Sequence, residues 1–328
     1  MLKTMIYTGM LLLLFTFCKK EDIPVTKTYK LEIPKGFPQP TNPENNLPTE
    51  ARIEFGRKLF FDPILSRDST ISCASCHHVD KKFTDGLEVS IGIEGRLGIR
   101  NAPSLLNVAY QPVMFWDGGV PNLEQQVLAP IESHFEMDFN LISVVERLNQ
   151  NETYKAMSME AYNQLPSIFS VTRALACFER TLYTGVSKYD DFVYNKNTAA
   201  LNASEQRGME IFLGEEGECF HCHGTFLFTD NSYKNNGIYL NYADSGRARI
   251  TTLAGDVGKF KVPSLRNVAN TAPYMHDGSI KTLEEVVEHY NSGGKPHPNK
   301  SGLIVPLNLT DQEKEDLINF LKALSDEK

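Results

Sequence analysis

The 328-residue sequence lacks an apolar run long enough to cross a membrane, since the longest extends only from Met5 to Phe17. A membrane-spanning helix needs about 20 predominantly apolar residues. The sequence also lacks a basic surplus, because 33 lysines and arginines stand against 41 aspartates and glutamates, for a net charge of −8. We therefore expect no nucleic-acid partner. Patterns typical of β-strands are few, which favours a mainly α-helical fold.

The N-terminus has the features of an export signal. Lys3 precedes the apolar run, and Cys18 follows it where a lipoprotein signal carries its lipidated cysteine. We predict a signal peptide over residues 1–17 and a periplasmic protein anchored to the membrane at Cys18. Phe17 is bulkier than the small residue usual before the cleavage site, so plain secretion and an uncleaved anchor stay open. Residues 18–48 are rich in proline and asparagine, which predicts a tether.

The sequence has few cysteines, and most of them stand in short motifs, so we expect no framework of disulfide bonds. Of the six cysteines, four stand in two short motifs and Cys18 belongs to the predicted signal. The remaining one, Cys177, lies in an apolar stretch with a helical pattern. Because an unpaired cysteine behaves as a small apolar residue, we predict a buried free thiol at this position.

The two motifs are copies of C-x-x-C-H, namely Cys73-Ala-Ser-Cys76-His77 and Cys219-Phe-His-Cys222-His223. This spacing is typical of c-type haem attachment, in which both thiols bond to the porphyrin and the histidine ligates the iron. A zinc site made from two C-x-x-C pairs is the competing interpretation. Such pairs usually lie closer together in sequence and need no histidine after each pair. We predict two covalently bound c-type haems, with His77 and His223 as iron ligands.

Each motif follows a helical pattern, as at the start of small cytochrome c domains. The first pattern begins at Thr49, and the second begins at Asn202, which can form a capping box with Glu205. Another capping box, Thr310-x-x-Glu313, starts a C-terminal segment whose apolar residues recur at helical spacing. The sequence thus predicts a mainly α fold with two cytochrome c-like haem domains.

An internal repeat relates the two halves. Pro103-Ser-Leu-Leu-Asn-Val-Ala matches Pro263-Ser-Leu-Arg-Asn-Val-Ala at an offset of 160 residues, whereas the haem motifs are offset by 146. The second half therefore has 14 more residues between motif and repeat, and a duplication explains the likeness. We predict an N-terminal haem domain over 49–195, in which the helices of 140–195 bridge the halves, and a C-terminal haem domain over 196–328.

The repeat also shows where the halves differ. Trp116, the single tryptophan, has His276 as its counterpart, and Pro130 has Tyr290 as its counterpart. A proline side chain cannot ligate iron, whereas a tyrosine can. If this position faces each haem, the first iron is open to a substrate and the second is closed. An iron with a free coordination position can bind and convert a substrate. An iron with both axial positions occupied is suited to electron transfer.

These features resemble the bacterial di-haem cytochrome c peroxidase family. The matching stretches are Arg100-Asn-Ala-Pro-Ser, Phe115-Trp-Asp-Gly, Val127-Leu-Ala-Pro-Ile, Phe135-Glu-Met, Lys261-Val-Pro-Ser-Leu-Arg-Asn and Tyr274-Met-His-Asp-Gly. The resemblance covers about Leu47 to Leu324. It implies that the first haem is the peroxidatic site and that the second takes electrons from a donor.

The resemblance also implies roles for individual residues. Trp116 matches the tryptophan between the haems, and Gln126 and Glu136 match the pair that lines the peroxide pocket. A carboxylate can pass a proton between the two peroxide oxygens, which makes Glu136 the candidate acid and base. The side chain of Asn101 and the backbone carbonyls of Thr271 and Pro273 match an inter-haem calcium site, for which oxygen ligands are suitable.

Two positions depart from most members of the family. Many have a histidine that closes the first iron in the oxidised enzyme, and Ile93 occupies that position here, so we expect a first haem that needs no reductive activation. Many have a methionine on the second iron, where this chain has Tyr290, as in the MauG-like subgroup. The neighbouring His289 is the alternative ligand.

Three functions are open at this stage. The first is reduction of hydrogen peroxide, with electrons from cytochrome c or a similar small redox protein. The second is a MauG-like oxidase that modifies a protein or a small organic molecule. The third is a non-enzymatic electron carrier or haem sensor, against which Glu136, Gln126 and an open first iron argue. A homodimer is also an expectation, because related peroxidases are often dimeric.

Overall fold

The computed structural model describes residues 29–326, so the predicted signal over 1–17, Cys18 and the first part of the predicted tether lie outside the described residues. The α-helices are α1 (Glu50–Phe61), α2 (Leu123–Gln126), α3 (Leu128–Glu132), α4 (Leu141–Asn149), α5 (Glu152–Tyr162), α6 (Ile168–Glu179), α7 (Lys188–Tyr194), α8 (Ala203–Leu213), α9 (Phe220–His223), α10 (Ala248–Thr251), α11 (Leu283–Asn291) and α12 (Asp311–Ala323). Strands β1 (Tyr233–Lys234) and β2 (Phe260–Lys261) pair antiparallel. Short 3-10 helices lie at Glu44–Asn46, Pro63–Leu65, Cys73–Ser75, Val79–Lys81, Ile93–Gly95, Val108–Tyr110, Ala254–Asp256 and Val268–Asn270. The predicted mainly α class is confirmed, and no helix of residues 29–326 is long and apolar enough to span a membrane.

Each half is built around one pair of crossing helices. Helix α1 packs on α6 in the first half, and α8 packs on α12 in the second. The predicted capping boxes at Asn202 and Thr310 start α8 and α12. The apolar stripe of α12 is buried in the second core together with Phe212 and Phe228. The two halves are therefore two cytochrome c-like domains.

A glycine allows the two helices of each pair to meet. A Cβ on Gly56 would lie 1.9 Å from the carbonyl oxygen of Ala174, and a Cβ on Gly208 would lie 1.9 Å from that of Asp316. Both distances are far below van der Waals contact, so neither position has room for a side chain. The same solution at equivalent places in the two halves supports their origin by duplication.

We expect Gly208→Ala to destabilise the protein, because the new methyl group must push α8 away from α12. Alanine favours a helix over glycine by about 1 kcal/mol, but forced overpacking costs about 1–3 kcal/mol and sometimes more. A net loss of about 2 kcal/mol in the free energy of unfolding should be seen by chemical denaturation. Gly255→Ala is the control, since a Cβ there meets nothing within 4 Å. Equal stability of the two variants would contradict the close helix contact.

The helices of 140–195 divide their contacts between the halves. Helix α6 belongs to the first core, where Cys177 is fully buried as a free thiol, as predicted. Helix α7 packs on the second half: Tyr189 contacts the ring of Phe228, and Asp190 forms an ion pair of 2.8 Å with Arg266. A helical pattern alone does not distinguish these two roles, because both helices present an apolar face.

The described part of the proline-rich segment packs against both halves. The ring of Phe37 lies edge-on to those of Tyr110 and Phe226 at 6.1 and 4.9 Å. Asn46 is fully buried, and its amide donates to Glu124 and to the carbonyl of Arg173. Residues 37–48 thus cover the junction between the halves, whereas most of the rest of the predicted tether lies outside the described residues.

Candidate haem-binding active site

Both C-x-x-C-H histidines are held in the same way. Nδ1 of His77 lies 2.9 Å from the carbonyl oxygen of Phe83, and Nδ1 of His223 lies 2.6 Å from that of Phe228. Burial lowers the pKa of each imidazole, which favours the neutral form. A neutral imidazole that donates from Nδ1 leaves Nε2 for a metal, and the carbonyl fixes the ring. The two sites therefore fit the axial histidine of a haem.

The second motif opens onto a cavity of about 310 Å³ lined mainly by apolar side chains. Cys219, Cys222 and His223 line one part of it, and Tyr290 lines another. Apolar walls with a few polar groups are typical of cofactor sites. A thiol pair, an imidazole with a free Nε2 and an apolar cavity together fit a c-type haem.

Tyr290, and not His289, faces this cavity. Burial raises the pKa of the Tyr290 phenol, and a hydrogen bond of 3.4 Å from Nδ2 of Asn236 opposes this effect. Nε2 of His289 lies 3.0 Å from the backbone oxygen of Asn236 and is engaged there. The geometry favours Tyr290 as the group opposite His223. Asn236 was not identified from the sequence, because it lies 54 residues from Tyr290.

Trp116 lies where the two halves meet. Its Nε1 donates to the carbonyl oxygen of Asn101 at 2.9 Å, and its own carbonyl accepts from the backbone N–H of Lys261 at 2.7 Å. The backbone N–H of Asn101 in turn donates to the carbonyl oxygen of His276 at 2.8 Å. The indole also lines the cavity of the second motif. The single tryptophan is thus fixed by residues of both halves.

Glu136 lies beside the first motif. Burial is the main reason that the pKa of the Cys73 and Cys76 thiols is raised, and the charge of Glu136 makes a small further contribution to both, which puts its carboxylate within electrostatic range of the motif. Part of the side chain is exposed, yet desolvation by the surrounding protein raises the pKa of Glu136 itself, and a bond with Ser133 only partly offsets this. A carboxyl with a raised pKa near a haem site suits proton transfer.

Two loops hold the backbone around Glu136. The carbonyl oxygen of Glu136 accepts from the N–H of Ile93 at 2.8 Å, and a Cβ on Gly92 would lie 2.8 Å from the Glu136 Cα. The N–H of Met137 donates to the carbonyl of Pro130 at 3.1 Å. Ile93 is fully buried. The backbone of Ile93, where the family resemblance led us to look for a ligand of the first iron, therefore holds the backbone of Glu136 in place.

An ion network closes the outer side of these loops. Arg96 and Arg67 each bind Asp138 at 2.8 Å, and both also bind Glu94. Asp138 lies two residues after Glu136, and Glu94 follows Ile93 directly. Because these pairs are partly exposed, each adds little stability alone. Together they tie the loop of Ile93 to the loop of Glu136.

Gln126 ends α2 one helical turn before Pro130 and is half-buried. No hydrogen bond between described residues joins its side chain to Glu136. Gln126 lies in α2 and Pro130 in α3, so the placement of Gln126 near the first motif stays a prediction.

Comparison with known proteins agrees with this geometry. Residues 50–198 match the family model described as di-haem cytochrome c peroxidase, and residues 205–325 match that of cytochrome c. The methylamine utilization protein MauG of Methylorubrum extorquens is 34% identical over 313 residues, or 94% of this chain and 86% of the relative. The chain belongs to the di-haem cytochrome c peroxidase family.

Two further relatives show the range of this family. Cytochrome-c peroxidase IdrP1 of Pseudomonas sp. (strain SCT) is 33% identical and is covered over 83% of its length, with 86% of this chain. The crystal structure of a MauG-like protein associated with microbial copper homeostasis is 37% identical, with a TM-score of 0.86 over 92% of this chain and 96% of the other. As a member of this family the chain is an oxidoreductase with two c-type haems.

Within this di-haem enzyme, three residues stand where the calcium site was expected. Asn101, Thr271 and Pro273 line one cavity together with Trp116. The side-chain amide of Asn101 donates to the carbonyl of Leu87 at 2.8 Å, which orients its oxygen away from that carbonyl. The set supplies only oxygen atoms, as calcium requires. Calcium at this place stays a prediction.

Two buried ionisable side chains of the enzyme were missed from the sequence. Glu179 is 4% exposed, burial raises its pKa to about 8, and it lies within electrostatic range of Cys73. Lys261, whose pKa burial lowers to about 8, donates to the side chain of Gln111 and the carbonyl of Val113 beside Trp116. The signal for Glu179 is an acid that follows the apolar run Ala174–Phe178 at the end of α6. Lys261 stands inside a stretch that the family resemblance already marked.

Proposed function

We propose that this enzyme reduces hydrogen peroxide to water at a haem held by the first C-x-x-C-H motif. Electrons would arrive through a haem held by the second motif, from cytochrome c or a similar small redox protein. The observation that carries the proposal is the inequality of the two sites. A carboxylate with a raised pKa, Glu136, lies near the first motif, whereas the half-buried phenol of Tyr290 shares the cavity of the second motif with His223.

In this proposal Cys73, Cys76 and His77 hold the first haem, which supplies an iron that binds peroxide and takes up its oxidising equivalents. The net reaction joins hydrogen peroxide, two protons and two electrons into two water molecules. Glu136 removes the proton from the near oxygen and delivers it to the leaving oxygen. Its raised pKa brings the carboxyl closer to the working pH, which suits both steps. Gln126 orients peroxide without competing for the proton.

Cys219, Cys222 and His223 would hold the second haem, and Tyr290 would ligate its iron. Because a phenolate favours ferric iron, a haem held in this way would have a lower potential than one with a methionine ligand. Trp116, fixed between the halves by Asn101, carries electrons or a hole from one side to the other. A calcium ion bound by Asn101, Thr271 and Pro273 would stabilise the same junction.

The location of the enzyme belongs to the same proposal. Haem of the c type is attached outside the cytoplasm in bacteria, which agrees with the predicted export signal at residues 1–17. We place the enzyme in the periplasm, anchored as a lipoprotein at Cys18.

The direct test measures the oxidation of the electron donor. Purified holoenzyme mixed with reduced cytochrome c should oxidise it only after hydrogen peroxide is added, with two cytochromes oxidised per peroxide. The measurement is the loss of the reduced cytochrome absorbance band, with an enzyme-free mixture as the control. No enzyme-dependent oxidation would reject cytochrome c as the donor.

A second function is favoured by one observation, the phenol of Tyr290 in place of a sulfur ligand. A MauG-like oxidase would use peroxide to oxidise a protein or a small organic molecule. The Tyr290→Met variant separates the two functions. If this change creates cytochrome c oxidation that the natural enzyme lacks, the oxidase is favoured; if the natural enzyme already oxidises cytochrome c, the peroxidase is.

A further inference from the structure

A tyrosine–aspartate pair lies beside the cavity of the second motif, outside the residues used so far. The hydroxyl of Tyr239 donates to Oδ2 of Asp277 at 2.6 Å, and both residues are half-buried. Oδ1 of Asp277 accepts from the N–H of Ser279 at 3.2 Å, which fixes the carboxylate. A short bond from a phenol to an anchored carboxylate gives the phenolic proton a place to go.

The internal repeat shows that this pair is particular to the second half. The counterpart of Asp277 is Asp117, which forms an ion pair of 2.7 Å with Arg100. The same aspartate thus neutralises a guanidinium in one half and accepts from a phenol in the other. Tyr239 comes from the stretch in which the second half has its additional residues. The pair can therefore form only in the second half, because the shorter stretch of the first half has no counterpart of Tyr239.

Aromatic rings connect the pair to the cavity. The ring of His276 lies 6.4 Å from that of Tyr239 and stacks on Phe260 at 3.8 Å with an angle of 18°. His276 and Phe260 both line the cavity that Tyr290 and His223 line. On its other side Tyr239 is partly open to solvent, and the next residue, Leu240, is 53% exposed. The phenol therefore stands between the second haem site and the surface.

We propose that Tyr239 and Asp277 form a proton-coupled relay through which electrons from a surface-bound reductant reach the second haem site. The proposal rests on the function above, since peroxide is its oxidant. In the step, the phenol loses one electron to the haem side and its proton to Oδ2 of Asp277, leaving a neutral phenoxyl radical and a carboxylic acid. A one-electron donor at the surface then reduces the radical, and the proton returns from Asp277. Two such cycles supply the two electrons that one peroxide consumes.

Two features support the proton transfer. Burial, the largest single effect, would raise the pKa of Asp277, but the hydrogen bonds from Tyr239 and Ser279 and the nearby His276 together outweigh it and lower the pKa. The carboxylate is therefore ionised and can take the proton of the phenol, which becomes strongly acidic when it loses an electron. Nζ of Lys295 lies 5.4 Å from the centre of the Tyr239 ring. A cation beside the ring opposes oxidation of the phenol unless its proton leaves. Electron loss and proton loss are therefore coupled.

Tyr242 provides a matched control within the protein. Its ring lies 6.3 Å from that of His276, nearly the same distance as the ring of Tyr239. Its hydroxyl, however, donates to the amide oxygen of Asn235 at 3.0 Å. An amide accepts a hydrogen bond but does not take up a proton at neutral pH. The two tyrosines thus differ in the proton acceptor but not in the distance of their rings from that of His276.

The experiment compares the holoenzyme with Tyr239→Phe, Asp277→Asn and Tyr242→Phe after rapid mixing with peroxide and freezing. We expect a tyrosyl radical by EPR in the natural enzyme and in Tyr242→Phe, none in Tyr239→Phe, and a yield reduced by roughly tenfold or more in Asp277→Asn. Asparagine keeps the shape and the bond to Ser279, so its effect reports proton acceptance. An undiminished radical in Tyr239→Phe or in Asp277→Asn would overturn the relay.

The haem absorbance of the same samples separates this proposal from the function on which it rests. If peroxide changes that absorbance but Tyr239 gives no radical, the relay is wrong and the peroxidase stands. If peroxide changes no absorbance, the proposed function fails, and a photogenerated ruthenium(III) oxidant then replaces peroxide on the same four proteins. Selective oxidation of Tyr239 over Tyr242 by that oxidant would still support the pair, and equal oxidation of both would reject it.

Discussion

Replacing Glu136 with glutamine is expected to slow the reaction with peroxide by about a hundredfold to ten-thousandfold, the usual contribution of a positioned acid–base group. Glutamine keeps the size and the polarity but neither accepts nor returns the proton. The measurement is stopped-flow absorbance of the first haem under excess peroxide. Glu132→Gln, at the exposed end of α3, is the control and should react at nearly the natural rate.

The pH dependence gives an independent check of the same residue. Desolvation by the surrounding protein raises the pKa of the partly exposed Glu136, and its bond with Ser133 opposes the shift only in part. Since the base must be ionised to take the first proton, the rate should fall as pH drops through this pKa, at a pH above the usual range of a glutamate. The Glu136→Gln variant should lack this fall. A fast variant with the natural pH profile would remove Glu136 from the mechanism.

Replacing Tyr290 with methionine is expected to raise the reduction potential of the second haem by on the order of 0.2 V, within the range of about 0.8 V that axial ligands span. A phenolate stabilises ferric iron, whereas a thioether favours the reduced state. Asn236 keeps a partner in the variant, because its Nδ2 also lies 3.2 Å from Sδ of Met275. Spectroelectrochemical titration of both haems measures the change.

His289→Gln is the matched control for the ligand. Its imidazole contacts the backbone oxygen of Asn236, a bond that a glutamine amide can replace. This variant should keep the natural low-spin signal and potential. The opposite pattern, with an unchanged potential in Tyr290→Met and a changed one in His289→Gln, would show that His289 is the ligand.

Sequence patterns predicted the features that depend on neighbours along the chain. The haem motifs, the capping boxes of Asn202 and Thr310 and the apolar stripe of α12 need only residues within a few turns. The repeat added the division into two similar domains, because Pro103 and Pro263 begin stretches that match residue by residue. These parts of the fold were predictable because their causes are local.

Contacts between distant segments were not predictable in this way. Arg100 binds Asp244 across 144 residues, and Tyr239 reaches Asp277 across 38. The packing of Phe37 against Tyr110 depends on where the two halves place their surfaces. A proline-rich composition suggested a free tether for this segment, but its few aromatic and amide side chains find partners at the junction. Such partners exist only once the chain has folded.

The candidate site likewise combines features that the sequence predicts with features that only the folded chain shows. His77 and His223 follow from a spacing, whereas the neighbourhood of Glu136 and the first motif depends on loops that Ile93 and Pro130 hold in place. The family resemblance pointed to Glu136, but only the structure shows the backbone bond from Ile93. Ile93, which cannot ligate iron, thus helps to fix the loop that carries Glu136.

The inequality of the two haems is the central claim, and EPR of the purified ferric enzyme tests it most directly. We predict one high-spin signal from an open iron beside Glu136 and one low-spin signal from an iron closed by His223 and Tyr290. Two low-spin signals of equal intensity would contradict an open peroxide site and would support an electron carrier instead.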